Sequence, residues 1–171
     1  MKRNSLIRFI ILLMLLVSVG CAANNSTDNT DTSDGTEQSP PSGGDQDAEE
    51  KITEMYITIN GNKMKVTLAQ NSSVDALVEL LKQGDITYTA NDYGGFEKVG
   101  GLGHTLPTNH VQTVTAPGDI VLYQTNQIVM FYGSNSWSYT RIGKLNYSSQ
   151  SELESFLGAG QGSVQVTISL K

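Results

Sequence analysis

Trp137, Tyr139 and Arg141 occupy alternate positions in Ser136-Trp137-Ser138-Tyr139-Thr140-Arg141, so in an extended strand all three project from one face. A guanidinium beside aromatic rings can recognise a carboxylate or a planar ligand; the same trio can equally form a structural cross-strand ladder with a cation–π contact. Tyr93 and Phe96 lie in Asp92-Tyr93-Gly94-Gly95-Phe96-Glu97, a glycine-rich loop with two rings between two acids. Such a loop serves recognition, or makes a tight turn whose rings plug the mouth of a barrel. Asp92 and Glu97 would act as an acid/base pair only at a defined separation, which a loop does not impose, so they are read as independent groups. His104 and His110 flank Leu106-Pro107 without carboxylate or thiolate ligands at metal-binding spacing, and solvated loop histidines with no metal are expected. No Ser-His-Asp order, phosphate-cradling glycine loop or nucleotide fingerprint occurs, so no cofactor is expected.

Charge divides the 171 residues into three segments. Residues 1–20 carry Lys2, Arg3 and Arg8 and no acid, residues 21–50 carry eight acids and no base, and residues 51–171 carry eight bases against nine acids. From residue 21 onward the net charge is therefore 8 − 17 = −9, which offers no footprint for a phosphate backbone and argues against nucleic acid as a partner. The single cysteine excludes an intramolecular disulfide and a cysteine-rich metal site.

The first segment reads as an export signal. Its three bases precede an apolar run from Phe9 to Val17 and the small residues Ser18, Val19 and Gly20. A membrane span needs roughly 20 apolar residues, about twice this run. Val17-Ser18-Val19-Gly20-Cys21-Ala22 resembles the lipobox of bacterial lipoproteins, with Ser18 where leucine is usual. The resemblance implies a diacylglyceryl group on Cys21, cleavage before it, and anchoring on the extracytoplasmic face of a cell membrane. Burying each CH₂ contributes about 0.8 kcal/mol, so two or three acyl chains hold a protein where one would not. A plain secretory signal with an incidental cysteine is the alternative.

Residues 21–50 read as a tether. Past Cys21 the hydrophobic residues are Ala22, Ala23 and Ala48, too few to offset the entropy of ordering. At roughly 5–6 Å × √n such a spacer reaches about 30 Å, and repulsion between its acids extends it.

Residues 51–171 read as one β-rich domain with a single core. Met55, Ile57 and Ile59 alternate with polar residues, Asn60-Gly61 supplies a hairpin turn, and Met64, Val66 and Leu68 resume the alternation. Ser72 and Asp75 form a capping-box pattern before Val74, Leu77, Val78 and Leu81, which predicts an amphipathic helix ending at Gly84. Strands are expected at Ile86–Thr89, Ile120–Tyr123, Ile128–Tyr132 and Trp137–Ile142, with turns at Pro117-Gly118 and Gln124–Gln127. Ser149 and Glu152 cap a short helix carrying Leu153, Phe156 and Leu157, and Val164, Val166, Ile168 and Leu170 alternate to the end. A first and a last strand of this quality invite pairing, because closure removes exposed edges. The expected architecture is mainly β: a closed antiparallel barrel of about eight strands with two short capping helices.

The run Pro117-Gly118-Asp119-Ile120-Val121-Leu122-Tyr123, followed by Asn126 to Gly143, resembles a bacterial cyclophilin-like domain family, as do Asp92 to Lys98, Leu106-Pro107, the first hairpin and the terminal strand. The resemblance spans residues 52–170 and implies an eight-stranded antiparallel barrel with a helix at each end. In cyclophilins that isomerise prolyl bonds, an arginine in a Phe-His-Arg strand motif donates to the amide nitrogen; that motif is absent here, and the sole arginine beyond residue 20 is Arg141. Shared architecture is a weak warrant for shared chemistry. The expected function is a membrane-anchored module that binds a small molecule or an extended peptide through Tyr93, Phe96, Trp137, Tyr139 and Arg141. The alternatives are a divergent prolyl isomerase acting on exported proteins and a purely structural envelope lipoprotein.

Overall fold

The structure is a computed structural model that describes residues 51–171; the signal segment, Cys21 and the acidic tether lie outside the described residues. The first hairpin forms where alternation places it, with β1 (Glu54–Ile59) and β2 (Asn62–Leu68) joined at Asn60-Gly61. Both turn residues have positive φ, which gives the twist a two-residue hairpin needs. α1 (Ser72–Gln83) follows, but its cap is Asn71 rather than Ser72. The Asn71 side-chain oxygen accepts from the Ser73 and Val74 N–H groups, and Ser72 is already the first helical residue.

The chain continues through β3 (Ile86–Tyr93), β4 (Glu97–Gly101), β5 (Val111–Val114), β6 (Asp119–Tyr123), β7 (Gln127–Phe131), β8 (Ser136–Leu145), α2 (Gln150–Leu157) and β9 (Ser163–Ser169). β4 and β5 were not expected from the sequence. β4 is short and broken by glycines, and β5 carries the polar pair Gln112-Thr113. The second helix is capped as expected, Ser149 Oγ accepting from the Glu152 N–H, and ends at Gly158 in the left-handed region.

All pairings are antiparallel, in the order β2-β1-β9-β3-β4-β7-β6-β8-β5, and β2 also pairs with β8. Eight strands thus close into a barrel, with β5 attached outside through β8. The terminal strands pair as expected (Ile57 opposite Ile168), while closure itself occurs between Val66 and Leu145. Residues facing inward, among them Ile57, Val66, Ile120, Met130, Ile142 and Ile168, share one buried cluster with Leu77 and Leu81 of α1 and Leu153 and Leu157 of α2. The helices therefore fill the barrel ends. The alternative role for Tyr93 and Phe96, plugging the mouth, is not what the structure shows: Tyr93 is exposed, and Phe96 packs against a different cluster.

One irregularity matters for the outer wall. Ile120 opposes Gly143 while Val121 opposes Arg141, so Ile142 is the extra residue of a bulge in β8. The bulge carbonyls are taken by the segment leading into α1: Ile142 O accepts from the Ala69 N–H at 2.9 Å and Arg141 O from Asn71 Nδ2 at 2.8 Å. Among the described residues no helix is long and apolar enough to cross a membrane.

Candidate functional site

The site begins with the hairpin between β3 and β4. Gly94 and Gly95 hold φ values of +62° and +77°, and a Cβ on Gly94 would stand 2.3 Å from Cε1 of Phe96. Glycine there lets the Phe96 ring fold back over the turn, with the Phe96 N–H donating to the Tyr93 carbonyl at 3.3 Å. The Phe96 carbonyl in turn accepts from the N–H groups of Tyr132 and Gly133 at 3.0 and 2.8 Å, which locks the turn to the end of β7.

This turn sets a register in which Tyr93 opposes Glu97 and Asp92 opposes Lys98. Strand alternation sends the two pairs to opposite faces. On the inner side, Lys98 is fully buried and its Nζ donates to Asp92 at 2.9 Å and to the Gly162 carbonyl at 2.7 Å. Asp92 also accepts from the Tyr132 hydroxyl at 3.0 Å and the Gly162 N–H at 2.7 Å. Burial alone would raise the Asp92 pKa, but Lys98, Gly162 and Tyr132 together hold it below the ordinary carboxylate range. Burial and the bond to Asp92 push Tyr132 up to about 12.

On the outer face, Val121, Val129, Phe131 and Tyr139 form a second, smaller buried cluster, with Phe96, Val99 and Tyr123 packed against it. The Phe96 and Phe131 rings stack in parallel at 6.5 Å, and Tyr139 meets both Phe131 and Tyr123 edge-on at 5.8 and 6.1 Å. Over this layer opens a concave pocket of about 400 Å³. Val99 and Val129, cross-strand partners, line it together with Tyr93 and Glu97 from one hairpin and Tyr123, Trp137 and Tyr139 from β6 and β8. Two amides, Gln127 and Asn135, complete the lining, and Asn135 Nδ2 donates to the Tyr139 hydroxyl at 3.0 Å.

Glu97 is the charged group of this pocket. It is 4 % exposed, and its Oε2 has no hydrogen-bond partner among the described residues. Burial pushes its pKa up to about 7, because nothing nearby offsets the loss of hydration of the charged form. Tyr139 is likewise raised, by burial first and then by the charge of Glu97.

Of the residues singled out from the sequence, Tyr93, Trp137 and Tyr139 come together in the pocket, and Phe96 supports it from behind by stacking on Phe131. Arg141 does not join them. Its guanidinium donates to Asp119 at 3.1 Å and to the Val114 carbonyl at 3.4 Å, and Lys144 shares the same buried aspartate at 3.3 Å. The alternative of a structural ladder with a cation–π contact lacks that contact: the one cation–π contact among the described residues places Lys63 over Tyr56, while Tyr139 packs edge-on against Tyr123 and Phe131. Asp92 and Glu97 are independent, one committed to an ion pair and the other open to the pocket. His110 Nδ1 lies 2.9 Å from Thr140 Oγ1, and the described residues contain no cluster of three metal-ligating side chains.

Sequence reasoning passed over Glu97 as a lone acid, and over Val99, Tyr123, Gln127 and Asn135. A signal was available for the first two. Gly94-Gly95 between Tyr93 and the alternating Glu97, Val99, Gly101 is a hairpin pattern that places Tyr93 beside Glu97.

Comparison with known proteins agrees with the eight-stranded barrel. The cyclophilin-like family matches residues 57–169, well over half of the chain. The chain belongs to the cyclophilin-like family. A solved structure with the same fold is the solution structure of a hypothetical protein from Archaeoglobus fulgidus, 16 % identical, with a TM-score of 0.54, covering 72 % of this chain and 99 % of that one. No curated protein matches the chain. In this cyclophilin-like domain the outer-face pocket is built by the hairpin carrying Glu97 and by the start of β8, where Tyr139 is buried and Trp137 stands 57 % exposed.

Proposed function

We propose that this cyclophilin-like domain is a capture module, held on the extracytoplasmic face of a membrane by lipid on Cys21, whose outer-face pocket binds a small molecule or an extended peptide without transforming it. The observation that carries the reading is the pocket itself: a concave space of about 400 Å³ lined by four aromatic residues and two valines, with one unpartnered buried acceptor in its wall. An apolar cleft with few polar groups is the usual form of a small-ligand site. An acceptor left without a partner costs free energy unless a ligand supplies the donor. The export signal and lipobox pattern support the anchor, and the acidic spacer would hold the barrel clear of the headgroups.

Trp137 is the sole tryptophan and lines the pocket, so its emission reports occupancy directly. Titration of the full-length chain with a library of small molecules and short peptides is expected to give saturable changes with some members, abolished in Tyr139→Ala. An emission spectrum indifferent to the whole library refutes the capture role. Cys21→Ser is expected to release the chain from membranes, and retention of that variant would refute the anchor.

The isomerase reading requires a cationic donor beside the bound amide. Arg141 is engaged by Asp119 outside the pocket, which favours capture over catalysis. A protease-coupled prolyl isomerisation assay distinguishes the two, with no acceleration above background expected.

A further inference from the structure

The geometry points to an organic ammonium group as the occupant of the outer-face pocket, an inference that rests on the capture reading and narrows it to one ligand chemistry. Four aromatic side chains, Tyr93, Tyr123, Trp137 and Tyr139, line the space, and aromatic faces attract cations. Among the lining residues there is one acid, Glu97, and no lysine or arginine. Its Oε2 is buried and unpartnered, in a residue that lines the cavity. An anionic ligand would meet a carboxylate in a poorly hydrated site, and a neutral one would leave that carboxylate uncompensated. A protonated amine places its charge against the rings and an N–H on Oε2.

The nearby bases cannot take this role. Lys98, next in sequence, points to the opposite face and is held by Asp92 and the Gly162 carbonyl. Arg141 and Lys144 are both engaged by Asp119. The contrast between a lysine-filled acid on one face and an empty acid on the other suggests that the missing cation comes from outside. Because Oε2 is a hydrogen-bond acceptor, an ammonium that retains N–H groups is favoured over a quaternary one. The shared chemistry is an alkylammonium, supplied either by a free amine or by a lysine side chain of a bound peptide.

Binding should depend on pH through Glu97. The groups that face it are Tyr93 on β3 and Tyr139 on β8, with Tyr123 on β6 across the pocket; Tyr132 after β7 turns its hydroxyl to Asp92 on the opposite face but lies within electrostatic reach, Asp92 and Lys98 are paired with each other, and its β7 neighbour is Phe131. The Tyr132 and Tyr139 hydroxyls are shifted upward and stay neutral near pH 7. A carboxyl with a pKa of about 7 is mostly charged at pH 8 and mostly neutral at pH 6, so affinity for an amine that remains protonated throughout should fall roughly tenfold between them.

The test uses the full-length chain in a non-ionic detergent and reads Trp137 emission against n-butylammonium, 1-butanol, butyrate and an extended tripeptide with a central lysine. n-Butylammonium is expected to bind saturably, at least tenfold tighter than the alcohol, with no response to butyrate. Glu97→Gln should erase that preference while leaving the response to the alcohol, which also shows the variant folded. Tyr93→Leu, at an exposed position, should weaken the amine more than the alcohol. Tighter binding of the tripeptide than of butylammonium, lost when its lysine is replaced by norleucine, assigns the peptide source, and the reverse assigns a free amine. Equal or tighter binding of the alcohol or the anion, or a preference that survives Glu97→Gln, overturns the ammonium inference and leaves the capture role standing. Silence of Trp137 toward every compound tested and the whole library removes both.

Discussion

Asp92 and Glu97 lie on one hairpin, at adjacent register positions, and the fold treats them in opposite ways. Asp92 receives a buried lysine, a backbone N–H and a tyrosine hydroxyl; Glu97 receives rings, valines and no donor on Oε2. A satisfied acid of the first kind joins parts of the fold, here β3, β4 and the Gly162 segment before β9. An acid of the second kind destabilises the folded state whenever it is charged, and a structure keeps such a group where a ligand can complete it.

The largest effect expected from this contrast comes from Lys98→Ala. It leaves Asp92 without its cation and a lysine-sized space in the interior, at a cost of about 3–5 kcal/mol by denaturant titration. A loss below about 1 kcal/mol would show that the inner pair contributes little and would erase the distinction between the two faces.

The second effect is in pH dependence, with opposite signs for the two acids. Glu97 has a folded pKa raised to about 7, so the folded state binds its proton more tightly than the unfolded state does. Stability from this group is fully present below its unfolded pKa and is lost as pH rises through about 7, by about 3 kcal/mol in total. Asp92 has a lowered folded pKa, so its contribution is present above its unfolded pKa of about 3.9 and is lost as pH falls through the folded value. Unfolding free energy measured from pH 3 to pH 8 should therefore pass through a maximum near the ordinary carboxylate range. Glu97→Gln should flatten the decline toward pH 8 and Asp92→Asn the rise from pH 3; a decline that persists in Glu97→Gln assigns it to another group.

Gly94→Ala acts on both acids at once, since a side chain at φ +62° is strained and its Cβ would strike the Phe96 ring. A loss of about 1–2 kcal/mol is expected, together with an altered Trp137 emission as Phe96 and the pocket wall shift. A stability loss without a spectral change would uncouple the turn from the pocket. The smallest effect belongs to Trp137→Ala. At 57 % exposure its removal should change stability by no more than about 0.5 kcal/mol while weakening ligand capture, read by calorimetry because the variant lacks the fluorophore, which separates a binding residue from a packing residue.

Much of the fold was legible in the chain. The first hairpin, both helices, β6 through β9 and the pairing of the terminal strands follow from alternation, turn residues and capping residues, all of which act between near neighbours. β4 and β5 were not, because a strand interrupted by glycine or polar on both sides gains its identity from the strands it pairs with. The cap at Asn71 was missed for a related reason: Asn71, Ser72 and Ser73 all belong to cap-forming types, and the carbonyl of Arg141, 70 positions away, helps to fix the Asn71 side chain.

The candidate site was legible in part. Tyr93 was recognisable as an aromatic of a glycine-rich loop, and Trp137 and Tyr139 as aromatic residues at one-face spacing on a strand; the structure gathers the three. Arg141 was grouped with Trp137 and Tyr139 by that spacing, but the buried Asp119 on the neighbouring strand holds its guanidinium outside the pocket. Glu97 was set aside because a loop imposes no separation between two acids, and the cation that satisfies Asp92 alone comes from the strand register.

The sequence by itself determined a basic and apolar first segment, an acidic second one, and a barrel-forming alternation with two capped helices, because composition, periodicity and capping are properties of consecutive residues. Only the tertiary structure decided that Lys98 reaches Gly162, that Asp119 binds Arg141, and that Glu97 is left facing an aromatic hollow. Those outcomes depend on the register between strands far apart in the chain, and a change of one residue in register reverses the face on which every side chain emerges.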